Sequence, residues 1–191
     1  MSAPSIETAP THPRIQELLT WLELHRRELH EAVASVPAHL REIRPGEGRW
    51  SVAEVVEHLA IIERRVAKML AMRVSAARAS GVGPDTETSS VVDSYPDPGR
   101  ATDRSRKIQS PEPVRPSGAL DAVAGTQALE QARVSLISAL RDANGVSLEH
   151  LVQSHPVFGP LNMYHWMVLA GLHDSRHAAQ IREIGESLAA S

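Results

Sequence analysis

Two histidines, His173 and His177, stand four residues apart in the stretch Leu172-His173-Asp174-Ser175-Arg176-His177. On a helix that spacing puts both rings on one face, with Cβ atoms about 5–6 Å apart. Two imidazoles one turn apart can grip a single divalent ion. The spacing alone is weakly specific. In a chain of 191 residues with 10 histidines, about 0.5 such pairs arise by chance. Asp174 occupies the position where a zinc protease of this type needs Glu, so that motif is absent. His58 adds a third donor. At helical rotation it lies about 20° from Met69 and about 40° from Ile62, at the edge of an apolar face and able to look inward. Three neutral imidazoles with open positions are the donor set of a catalytic metal site rather than a closed structural one. The competing readings are two surface histidines on the last helix and a boundary histidine bonded to a carboxylate on the second.

These residues need elements to hold them, and composition says which kind. The chain has Trp 3, Tyr 2 and Phe 1 and is 42% hydrophobic, which favours a helical core over a β-sandwich. It has no cysteine, which excludes disulfides, thiolate metal sites, cysteine nucleophiles and dithiol redox chemistry. A net charge of -3 argues against a nucleic-acid partner bound on a basic face. No basic–apolar leader and no spanning apolar run is present, so the chain reads as soluble and cytoplasmic, with no membrane partner.

Residues 1–12 read as a flexible N-terminus and 13–191 as one domain. Apolar residues recur at helical spacing from Pro13 to about Val36. A second helix starts at a capping box, Ser51 with Glu54, and runs to about Ala79. Residues 82–116 carry repeated prolines and no periodicity, as a long crossover would. Ser117 is the expected cap of a third helix, with Val123, Leu129, Val134, Leu136 and Leu140 on its apolar face, ending at Asn144-Gly145. Pro160 is the expected first residue of the last helix, Leu161 to about Leu188. Four such helices predict an all-α, up-down-down-up four-helix bundle with the long crossover between the second and third. Along the last helix Asn162, Trp166, Leu169, His173 and His177 fall on one stripe.

Several segments together carry a family resemblance. Arg49-Trp50-Ser51-Val52-Ala53-Glu54-Val55-Val56-Glu57-His58-Leu59 resembles the second-helix motif of DinB-like (YfiT-like) four-helix bundle proteins. His155-Pro156-Val157-Phe158-Gly159-Pro160-Leu161-Asn162, then Trp166, resembles the approach to that family's last helix. Leu172-His173-Asp174-Ser175-Arg176-His177-Ala178-Ala179-Gln180-Ile181 resembles its His-x-x-Arg-His-x-x-Gln-Ile core. Ser110 to Ser117 resembles the approach to the third helix. The resemblance spans roughly residues 13 to 188 and implies the same up-down-down-up bundle. It further implies one divalent ion, Zn or Ni by imidazole affinity, held by His58, His173 and His177.

Similar proteins include thiol S-transferases that use bacillithiol or mycothiol, and a maleylpyruvate isomerase. The activity so implied is metal-dependent transfer of a low-molecular-weight thiol cosubstrate to a small-molecule electrophile. The alternatives are a hydrolase of the same fold and a non-catalytic, stress-associated binding protein. No catalytic side chain is assigned. Asn162, Trp166 and Arg176 are the candidate substrate-binding residues, although the commoner role for a residue placed like Arg176 is a helix-surface ion pair, here with Glu183 or Asp174. Gln180 lies near the ligand face, and His165 about 80° off it. The basic run Arg100, Arg104, Arg106, Lys107 and Arg115 reads as a solvated loop able to receive an acidic ligand. A homodimer is the assembly such bundles commonly form.

Overall fold

The computed structural model describes residues 10–106 and 109–190. The expected flexible segment therefore lies outside the described residues up to position 9, as does Lys107. Pro10 to His12 are held in place: Asn144 accepts from the His12 amide and donates to the Pro10 carbonyl.

Four long helices make the bundle: α1 (Pro13–Ser35), α2 (Val52–Ala79), α4 (Ala122–Asp142) and α5 (Met163–Ala189), with a short α3 (Pro98–Thr102) in the crossover. Their directions can be read from side chains that meet. Trp21 reaches Val168, His25 reaches Ser175 and Glu28 reaches Arg182, so α1 and α5 run parallel. Gly125 packs on Ala53 and Glu57, and Arg78 bonds the Asp142 carbonyl, so α2 and α4 are parallel too. Arg14, at the start of α1, pairs with Asp85, just beyond the end of α2, so these two oppose. The bundle is up-down-down-up, with residues 80–121 crossing between α2 and α4.

The capping box forms as expected. The Glu54 amide donates to Ser51 Oγ at 3.2 Å and the Ser51 amide donates back to Glu54 Oε2 at 2.9 Å. Two helix starts differ from expectation. Asp121, not Ser117, caps α4, because Ser117 instead donates from its amide and hydroxyl to Glu57 Oε1. The last helix starts at Met163. Pro160 lies in a two-stranded antiparallel hairpin, β1 (Val152–His155) and β2 (Gly159–Asn162), whose turn uses Gly159 at φ 75°. The cap of α5 is Asn162, which accepts from the His165 amide at 2.8 Å. Val123 and Val134, expected on the apolar face of α4, are 67% and 70% exposed, because that helix buries the Leu129–Leu136–Leu140 stripe instead.

The core consists of two apolar clusters. One includes Leu18, Leu22, Leu70, Leu136 and Met167; the other includes Leu29, Val55, Leu59, Leu129 and Ile181. Between them lie four buried charges, one from each long helix: Arg26, Glu63, Arg133 and Asp174. Asp174 Oδ2 meets Arg26 Nε at 3.0 Å and Arg133 Nη2 at 2.6 Å. Glu63 pairs with Arg133 at 2.7 Å and with Arg26. Each charge thus touches two of opposite sign, as buried ions must.

Candidate metal centre

α2 and α5 bring His58, His173 and His177 together. Each offers one ring nitrogen, and these three atoms lie within 4.8 Å of one another. The His173 and His177 rings are 4.5 Å apart, and the His58 ring is 5.4 and 5.1 Å from them. One turn of helix supplies the first pair, as the i,i+4 spacing predicts. The His58 position depends on the capping box two turns earlier, which fixes the start and phase of α2.

Outside partners orient two of the rings. His58 Nδ1 is 2.6 Å from the Val114 carbonyl oxygen, which can only accept, so the proton is on Nδ1 and Nε2 keeps its lone pair. His177 Nδ1 is 2.7 Å from Gln180 Oε1 and donates likewise. Its Nε2 faces His173 Nε2 at 3.1 Å. Metal-ligating histidines characteristically donate their other ring nitrogen to a carbonyl or carboxylate, which fixes the tautomer. Burial holds all three imidazoles below their ordinary pKa. For His173 and His177 the shift is large, and the neighbouring ring positions and Arg side chains add to it. Neutral imidazoles whose ring nitrogens converge fit a divalent ion.

The site opens into a cleft of about 1110 Å³. Trp50 stands beside His58 with ring centroids 5.0 Å apart. Of the three candidate substrate-binding residues, Trp166 and Arg176 line this cleft and Asn162 does not. Asn162 spends its side-chain oxygen on the helix cap and donates its amide to Glu149. Trp166 donates to the Gln153 carbonyl at 3.0 Å, which turns its ring onto the hairpin residue His155. Arg176 makes neither anticipated ion pair. It donates to the carbonyls of Asp103 and Arg106, pinning the crossover to α5 between the two ligands. Glu183 is taken by Arg104 and Asp174 by the core arginines. His165 is turned out of the cleft, against Ser94 and Tyr95.

Sequence reasoning missed the crossover's part in the site. The Val114 carbonyl is a backbone group in a proline-rich stretch and carries no side-chain signal. Glu57, next to His58, draws that stretch down by accepting from the Ser117 and Gly118 amides. The Glu57-His58 adjacency was the available clue.

Fold and site together define a class: a four-helix bundle with three interior imidazoles, from its second and last long helices, at the floor of an open cleft. The chain belongs to the DinB superfamily, whose family model matches residues 9–181. It is 30% identical over 148 residues to "Uncharacterized protein YuaE" of Bacillus subtilis (strain 168), covering 76% of this chain and 83% of that protein. Its fold is similar to that in "Crystal structure of TT2238, a four-helix bundle protein", with TM-score 0.59 and 19% identity, covering 88% of this chain and 98% of that one. Among the described residues no helix is long and apolar enough to cross a membrane.

Proposed function

We propose that the protein is a metal-dependent enzyme that transfers a low-molecular-weight thiol to a small electrophile, with the ion held by His58, His173 and His177. The observation that carries this reading is the convergence of three neutral ring nitrogens, within 4.8 Å, at the floor of a large cleft. When bound, a divalent ion supplies Lewis-acid activation, lowering the pKa of a thiol or water. The chain contributes the rest. Val114 and Gln180 hold the proton on the outer nitrogen of His58 and His177, so that Nε2 faces inward. Trp50 and Trp166 bound the space an electrophile enters and keep water off its apolar part. Arg176 holds the crossover over the cleft. With no cysteine in the chain, reacting sulfur has to arrive with the cosubstrate.

The test is metal analysis of tag-free protein, followed by conjugation of monochlorobimane with a panel of small thiols. About one Zn²⁺ or Ni²⁺ per chain, lost in His58→Ala, His173→Ala and His177→Ala, is expected, together with thiol-dependent bimane fluorescence that needs the metal. Failure of the wild-type protein to take up either ion would overturn the reading. Metal-dependent ester hydrolysis with no thiol requirement would replace transfer by hydrolysis.

A further inference from the structure

The charge inside the cleft is opposite to that of the whole chain. Arg49, Arg104, Arg115 and Arg176 line it against a single carboxylate, Glu183, while the chain carries -3 overall. Arginine stays protonated at any physiological pH, so this excess cannot be titrated away. Three of these guanidiniums gather around Glu183. Arg104 bonds it bidentately, Nε to Oε1 at 3.2 Å and Nη2 to Oε2 at 2.7 Å, and Arg49 and Arg176 act on it electrostatically. Asp103 also acts on Arg176, and the two carboxylates still leave the four arginines in excess.

The donors are also incompletely used. Among the described residues no hydrogen bond or ion pair is made by the Arg49 side chain. Arg115 uses only Nε, donated to the Ser110 carbonyl at 2.9 Å. At this end of the cleft the lining also includes an apolar wall, Trp50 beside the His58 ring and Ile184 next to Glu183 in sequence. The cleft walls focus such a field and raise the local concentration of anions.

We infer that the cleft takes a small amphipathic anion, a carboxylate or sulfonate on an apolar or aromatic body. Its charge is met by the arginines around Glu183 and its body lies on Trp50 and Ile184, which line the cleft next to Arg49 and Glu183 in sequence. This deepens the metal-enzyme reading and rests on it for where the ligand's reacting end lies, beside the three histidines. A neutral ligand gains nothing from the excess positive charge, whereas an anion gains charge-assisted hydrogen bonds from it. The arginines therefore select by charge, and the apolar wall selects by shape.

The probe is 8-anilinonaphthalene-1-sulfonate, read by fluorescence against uncharged N-phenyl-1-naphthylamine, with zinc content measured on the same samples. Arg49→Gln/Arg104→Gln is expected to weaken sulfonate binding at least about tenfold, as loss of charge-assisted bonds requires, and to leave the neutral dye within about twofold. Arg49→Gln alone removes no bond of the fold and is expected to weaken the sulfonate severalfold. Added salt weakens the sulfonate only. Arg27→Gln, exposed on α1, changes neither dye.

No sulfonate binding to the wild type, equal binding by the arginine variants, or parallel loss of both dyes would overturn the proposal. Absence of zinc with the sulfonate pattern intact removes the metal reading and leaves the anion site standing. Zinc uptake with dye binding indifferent to the arginines removes the anion site alone.

Discussion

The three histidines and the four-charge cluster share one turn of α5, where His173 and Asp174 are neighbours in sequence and about 100° apart around the helix. Both groups are polar and buried. Around Asp174 every charge meets two partners of opposite sign, drawn from all four long helices. Burial pushes the Glu63 carboxyl up, against the pull of Arg133 and Arg26. Every charge of that cluster is engaged in ion pairs inside the bundle. Of the histidines, His58 and His177 have outside partners on their outer nitrogens only, and the Nε2 atoms of His173 and His177 meet at 3.1 Å at the cleft. Closed partnering makes buried polarity structural; one-sided partnering makes it available for chemistry.

The difference is open to attack from either side. The largest effect is expected at the histidines. His173→Ala or His177→Ala should take bound Zn²⁺ from about one per chain to near zero, by metal analysis, while the metal-free thermal midpoint moves less than in Asp174→Ala. Asp174→Ala leaves Glu63 as the one buried carboxylate between Arg26 and Arg133 and should cost about 3–5 kcal/mol in chemical denaturation, leaving the histidine donors in place. Replacing all four charges by Leu and Met should be neutral or stabilising by about 1–4 kcal/mol. A large loss there would mean that the cluster does more than satisfy itself.

Smaller effects test the one-sided partnering. Gln180→Leu removes the acceptor behind His177 and should weaken zinc affinity about 10–100-fold in competition with a chelator. The smallest effect is on pH dependence. Burial holds the three imidazoles below their ordinary value of about 6.5. As pH falls through about 6.5 the unfolded chain binds protons first, so the metal-free fold loses stability on the acid side. Its thermal midpoint should fall more steeply between about pH 7 and 5 than that of His173→Gln/His177→Gln.

The same contrast explains what the sequence disclosed. The histidine pair was legible because helical spacing alone places it, and His58 because a capping box sets the phase of its helix. The four-charge cluster was not. A lone Arg or Glu on an amphipathic helix reads as surface, and only tertiary packing aligns Arg26, Glu63, Arg133 and Asp174 at one level. The true starts of α4 and α5 were missed for a related reason. Ser117 and Pro160 are sound local signals, but Glu57 captures the one and strand pairing the other. Arg176 stood out by its place between two ligands, yet its partners are crossover carbonyls, which no side-chain pattern announces.

The centre draws on α2, the crossover carbonyl of Val114 and the last long helix, residues separated by most of the chain. Synthesis runs from the N-terminus at about 5–20 residues per second, and long-range contacts form late. While α5 is still inside the ribosome, the nascent chain has His58 but neither of its companions. An ion that needs all three histidines can therefore be held only after α5 has emerged and docked on α2. A chain truncated before α5 would lack two of the three candidate donors along with the helix that packs on α1.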